Sequence, residues 1–329
     1  MKRILTMLLA AMLLLAAAGC GGGTAGSGPW VDVMAADLEE PWLFDDAVPL
    51  EDVPKTVFYE YEPKPAGLVI YEKNSAVIDA SNTADGYVMC KYTGGEAALK
   101  VRITGPGDVK LDFSLRSDGV WEAFPLSYGD GAYKIGVYKQ KAGTKYTALL
   151  SQSVDVVMTD PLGPFLRANQ KVYFTPDSAV TAKAAALCDG KTTELEKVAA
   201  VYAFVTGSIG YDYDKAQQIV DGVITGYVPD VDAVLAAGKG VCSDYSSLMA
   251  AMLRSQGVAT KVVYGYAGTV YHAWISVYTE EYGWVEAAIY FDGKQWMRMD
   301  PTFAATADSS SKIMSYIGDG SNYTVKYMY

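Results

Sequence analysis

The spacing of apolar residues changes once along this chain, and the change divides it. Between Leu68 and Met158 the period is two: Leu99, Val101 and Ile103 alternate with Lys100 and Arg102, and Val109, Leu111, Phe113 and Leu115 alternate with polar residues. Tyr133, Ile135 and Val137 repeat the pattern. Successive strand side chains point to opposite faces, so this alternation marks strands with one face in a core and the other in water. Turn residues separate the runs at Gly94-Gly95, Gly105-Pro106-Gly107-Asp108, Ser117-Asp118-Gly119, Gly129-Asp130-Gly131 and Ala142-Gly143. Short strands so spaced predict an antiparallel β-sandwich, Ig-like in outline, over residues 63–160. Trp121, Phe124 and the tyrosines here either stack on sugars or fill the core, and the core is the simpler reading. A sandwich by itself names no ligand.

Asp160-Pro161-Leu162-Gly163-Pro164 punctuates the chain, and a second domain is predicted over residues 161–329. There the period becomes 3.6. Pro176-Asp177-Ser178 opens a helical run that Asp189-Gly190 closes. Thr193 and Glu196 form a capping box before Leu195, Val198, Ala199, Tyr202 and Val205, an apolar stripe suited to covering a sheet. Tyr211-Asp212-Tyr213-Asp214 and a Gly/Pro-containing connector lead on to Leu235. A helix headed by Cys242 follows, with Tyr245, Leu248, Met249 and Met252 on its buried face and Gly257 as its stop. Strands then alternate at Lys261 to Tyr266, Val270 to Tyr278, Trp284 to Ile289 and Trp296 to Asp300. On the second of these His272, Trp274 and Ser276 share a face; on the last, Trp296, Arg298 and Asp300 do. If both faces look toward the Cys242 helix, a thiol, an imidazole and a carboxylate converge.

With 329 residues, 50% apolar and 12% aromatic, the chain can bury two cores. Its start reads as targeting: Lys2 and Arg3 precede an apolar run from Ile4 to Ala18 that ends at Gly19-Cys20. Ala17-Ala18-Gly19-Cys20 resembles the lipobox of bacterial lipoproteins, which implies a signal peptide over 1–19 and lipid on Cys20. The glycine-rich stretch 20–30 then serves as a flexible tether. Residues 31–62 carry ten acidic residues against one lysine, interleaved with aromatics, and read as a strap over a domain surface. Net charge is −11, or −13 once Lys2 and Arg3 are lost, which speaks against nucleic acid and anionic headgroups as partners. The lipid alone is expected to hold the protein to the membrane, in the cell envelope outside the cytoplasm. Cys90 and Cys188 either pair or stay as buried thiols.

The chemistry is narrowed by what is scarce. His272 is the only histidine, so any Cys/His chemistry must use it. A cysteine in the first turn of a helix meets unpaired N–H groups and the positive end of the macrodipole, both of which favour thiolate. Thiolate, imidazole and an orienting third residue make an acyl-transfer nucleophile near neutral pH. Pro301 biases Asp300 toward extended geometry at a strand end, which suits that third role. One histidine and scattered cysteines do not make a usual zinc site, HExxH and GxxxxGK[ST] are absent, and Asp212 and Asp214 lack calcium-loop spacing, so neither metal nor cofactor is expected.

Gly240-Val241-Cys242-Ser243-Asp244-Tyr245, Leu253-Arg254-Ser255-Gln256-Gly257-Val258, Tyr271-His272-Ala273-Trp274 and Trp296-Met297-Arg298-Met299-Asp300-Pro301-Thr302 together resemble the bacterial transglutaminase-like superfamily. The resemblance runs from about Phe165 to Phe303. It implies an α+β fold, a papain-like core preceded here by the antiparallel β-sandwich, with Cys242, His272 and Asp300 as a catalytic triad. It also implies an aromatic oxyanion donor upstream of the cysteine, matched by Tyr211 or Tyr213, of which Tyr211 is preferred. The superfamily includes peptidases and other amide hydrolases, protein cross-linkers and members without catalysis. The expected substrate is therefore a peptide, protein or cell-wall amide. The chain departs from the family pattern in a long His272 to Asp300 interval, with Glu280 to Lys294 reading as an added hairpin.

Overall fold

The computed structural model describes residues 61–285 and 323–329. All of them belong to one compact unit, Val53–Tyr329. The leader, Cys20, the tether, the strap up to residue 60 and Asp300 with its strand lie outside the described residues.

The period-two region forms two four-stranded antiparallel sheets. The first runs β1 (Ile70–Lys73), β2 (Ala76–Asp79), β3 (Tyr87–Tyr92), β6 (Glu122–Pro125) in spatial order. The second runs β5 (Lys110–Leu115), β4 (Leu99–Thr104), β7 (Gly131–Ala142), β8 (Lys145–Val156). Alternation decides which side is dry. β5 buries Leu111, Phe113 and Leu115 and exposes Lys110, Asp112 and Ser114, and register sets Phe113 opposite Val101 of β4. Inner residues of both sheets form one core that includes Phe124, which meets Phe113 edge-on at 5.3 Å between ring centroids. Trp121 stands outside that core under the Lys91 ammonium, 4.5 Å from the ring centroid.

The 3.6-period region supplies α1 (Ala179–Cys188), α2 (Glu194–Ser208), α3 (Tyr213–Val220), α4 (Val231–Ala237) and α5 (Cys242–Ser255). The capping box at α2 is formed: Glu196 N donates to Thr193 Oγ1 at 3.2 Å and Thr193 N donates to Glu196 Oε2 at 3.0 Å. Helices α1, α2 and α4 pack around α5, whose residues from Ser243 to Ser255 are all buried. One face of a third antiparallel sheet covers α5. Its order is β13 (Gly283–Val285), β12 (Val270–Thr279), β11 (Thr260–Ala267), β14 (Tyr323–Met328). The architecture is thus α+β, with a β-rich region ahead of a mixed core.

The two cores meet. Tyr264 of β11 packs against both, and Tyr329, just past β14, is buried against Phe113 and Tyr264 with ring centroids 5.6 and 5.5 Å away. Buried Arg254, at the end of α5, donates to the carbonyls of Thr260, Arg167 and Tyr329 at 2.7 to 2.9 Å. Cys90 lies in the sandwich core and Cys188 in the helical core, both as free thiols.

Candidate active site

Two short helices precede the site, and the sequence pattern alone did not show them. α3 has eight residues and none is buried, so it adds nothing to the core. Its signal is Asp212, whose side chain accepts from Lys215 N and caps the first turn. Asp230 caps α4 in the same way, through Ala233 N.

Between these helices and α5 a two-residue parallel ladder sets the site. β9 (Gly210–Tyr211) pairs with β10 (Lys239–Gly240), with Tyr211 opposite Gly240, and Asp212 N donates to Gly240 O at 2.9 Å. Gly240 admits no side chain, because a Cβ there would lie 2.6 Å from Cβ of Asp244. Val241 is extended, and Cys242 begins the helix. Unlike the rest of α5, Cys242 is only partly buried. A rigid, packed element therefore delivers its first side chain to the surface.

The first turn is pinned by Asp244. Its fully buried carboxylate accepts from Val241 N at 2.8 Å, Lys215 Nζ at 2.7 Å and the Tyr227 hydroxyl at 2.6 Å, and Lys215 also donates to the Tyr227 oxygen. Burial and the bond to Asp244 push the Tyr227 hydroxyl well above its ordinary range. This network holds the connector between α3 and α4 onto the mouth of α5.

Three tyrosines stand within electrostatic reach of Cys242. Burial raises Tyr211 and Tyr264 well above the usual tyrosine range, and negative charge on Cys242 adds to both. Tyr271 is pushed up to about 12, again by burial first, with Tyr327, Tyr266 and Cys242 adding. All three keep their proton near neutral pH and can donate it. The Tyr211 ring leans edge-on against Tyr213 at 4.9 Å.

His272 follows Tyr271 on β12 and is buried. Its ring lies beside that of Trp274, with centroids 6.4 Å apart and planes inclined by 27°. Gly265 is its partner on β11, where a Cβ would come within 2.0 Å of the Thr324 carbonyl oxygen. The strand's two faces have different neighbours. Ile275 and Val277 share a core with α5, whereas Trp274 packs with Val263, Tyr323 and Met328. By alternation His272 belongs to the Trp274 face, so the face that covers the body of α5 is the other one. Strand pairing puts Tyr211 beside Cys242 at the helix mouth, Tyr264 and Tyr271 lie within electrostatic reach of the thiol, and His272 is next along the strand from Tyr271.

The other two described thiols differ from Cys242. Burial pushes Cys188 up to about 11, and Cys90 higher still. Among the described residues no group of three or more His, Cys, Asp or Glu side chains is placed to hold a metal ion.

Comparison with known proteins gives one family match. Residues 181–301 match the profile of the transglutaminase-like superfamily, which spans α1 to the Asp300-Pro301 pair. A search of curated proteins found no match. Among solved structures, one described as a TGase is 23% identical over 37% of this chain and 30% of its own, with a TM-score of 0.27. A candidate cysteine protease from Cytophaga hutchinsonii is 13% identical over 71% of this chain and 69% of its own, with a TM-score of 0.33. A candidate protease from Parabacteroides distasonis is 16% identical over 59% and 38%, with a TM-score of 0.27. The chain thus spans less than a third of the TGase. The cysteine at the head of a buried helix, the HAW strand and the family profile agree: over residues 181–301 this chain carries a domain of the transglutaminase-like superfamily.

Proposed function

We propose that the protein is a cysteine acyl-transfer enzyme that attacks an amide carbonyl through Cys242. The observation that carries this reading is the placement of Cys242 alone, among the described thiols, at the accessible first position of a fully packed helix. In the reaction Cys242 Sγ adds to the carbonyl carbon and its proton passes to His272. Collapse of the tetrahedral species expels the amine with a proton returned by His272 and leaves a thioester. Asp300 orients the imidazole. Tyr211, kept protonated by burial, donates to the oxyanion together with backbone N–H at the helix start. Water then resolves the thioester, so that the net reaction is hydrolysis of a peptide or peptidoglycan-type amide.

Transfer to a lysine amine, making a cross-link, uses the same thioester and is the second outcome. An anchor through lipid on Cys20 would place either activity at the outer surface of the membrane. A binding protein that merely keeps the fold is the reading from another class. Acylation by p-nitrophenyl acetate separates them. The enzyme reading expects a burst of p-nitrophenol with one acetyl group on Cys242, abolished in Cys242→Ala and strongly slowed in His272→Ala. Absence of that adduct in the intact protein would leave only the binding reading. A labelled primary amine added with a protein acceptor then tells transferase from hydrolase, because only a transferase leaves label on protein.

A further inference from the structure

Lys171 sits in a tight turn whose ends, Asn169 and Val172, form a bridge. Asn169 Oδ1 accepts from Lys171 N at 2.9 Å and from Val172 N at 3.2 Å, which fixes the backbone from which the side chain springs. Its Nζ donates to the Tyr227 carbonyl at 3.5 Å and stands 6.0 and 5.9 Å from the ring centroids of Tyr264 and Tyr329. Among the described residues no carboxylate lies within ion-pairing distance of it. Lys215, which also contacts Tyr227, differs in being paired with Asp244 at 2.7 Å. Burial accordingly holds the Lys171 ammonium below the ordinary lysine range, with no neighbouring charge to oppose the effect. Lys171 is partly buried, and a partly desolvated ammonium with no described carboxylate beside it costs free energy in a chain of net charge −11.

Two independent links bring Lys171 to the Cys242 site. Tyr264 relates them, its ring centroid 6.0 Å from the ammonium and its hydroxyl within electrostatic reach of Cys242. Tyr227 relates them as well, its carbonyl on Lys171 and its hydroxyl on Asp244, in the first turn of α5. We propose that Lys171 is the carboxylate-binding subsite of the Cys242 cleft, so that the substrate is an amide bearing a free carboxylate near the scissile bond. This rests on the reading of Cys242 as nucleophile and adds a substrate class to it. The bound carboxylate supplies the missing counter-charge.

The test compares iodoacetate with iodoacetamide, which have similar size and differ by one negative charge, so that the carboxylate of iodoacetate stands in for that of the substrate. Adducts on Cys242 of the full chain are followed by peptide mass spectrometry. Relative to free cysteine, Cys242 is expected to favour iodoacetate. Lys171→Met is expected to lower that preference roughly fivefold, and Lys171→Arg to retain it. In the unsubstituted protein, salt near about 1 M should reduce the preference too, a result that does not depend on any variant folding. A preference unmoved by both salt and a folded Lys171→Met protein overturns the subsite. If Cys242 reacts with iodoacetamide no faster than Cys90 and Cys188, it is the nucleophile reading that fails, and the subsite falls with it.

Discussion

Alkylation at neutral pH is expected to mark Cys242 and spare the other two described thiols. Cys188, held up to about 11 by burial, is almost wholly protonated there, and Cys90 lies higher still in the sandwich core. Peptide mass spectrometry after a short iodoacetamide pulse should show Cys242 labelled first, and labelling should slow in His272→Ala. Raising the pH toward 11 should bring Cys188 in without changing the order; early labelling of Cys188 at pH 7 would contradict its burial. Tyr211→Phe removes one hydroxyl while keeping the ring against Tyr213. It is expected to lower the acylation rate of Cys242 by p-nitrophenyl acetate on the order of 100-fold if that hydroxyl donates to the oxyanion. A rate within about twofold of the unsubstituted protein would remove Tyr211 from the site and leave it as core.

At the level of elements, α5 takes its orientation from packing along its length and from Asp244 at its mouth. Asp244→Ala would strand Lys215, the Tyr227 hydroxyl and Val241 N without their acceptor at a fully buried carboxylate position. Breaking a buried pair in this way is expected to cost about 3 kcal/mol, read from denaturant midpoints. Lys215→Met should cost less, since the lysine is partly exposed whereas Asp244 is not. The same substitution at Asp244 frees the α3–α4 connector. Cleavage by chymotrypsin after Tyr227, in the connector, should then appear before global unfolding, and equal protease resistance in both proteins would show that the connector is held by other contacts.

Across the whole molecule, the sandwich and the helical core are not independent. Tyr329 is buried against Phe113 of one and Tyr264 of the other, and Arg254 ties its carbonyl to the end of α5. Tyr329→Ala is expected to cost about 3–5 kcal/mol by leaving a cavity at this junction. Both cores should report the loss together, in a single shifted transition. Two separate transitions by fluorescence, with only one displaced, would mean that the regions fold as independent units.

Periodicity was enough to reveal β4, β5 and β7 of the sandwich and α1, α2 and α5, because the repeat of each one's apolar face is written in the residues, whereas β2 and β3, buried on both faces, carry no alternation. Thr193 with Glu196, and Cys242 at a helix head, are likewise local signals. α3 and α4 were not legible in that way: α3 buries no residue, and both depend on an aspartate cap and on what lies beside them. Nor does spacing disclose which face of β12 meets α5. His272 and Trp274 share a face by local alternation, but only the packing of Ile275 and Val277 against α5 shows that this face is turned from the helix body. Lys171 shows the same limit. In sequence it is one lysine among many; its ammonium becomes distinctive only where folding surrounds it with tyrosines and no described carboxylate. Strand and helix formation answer to neighbours a few residues away, whereas a reactive cleft is an encounter of distant segments. That encounter is decided by which surfaces the cores bury.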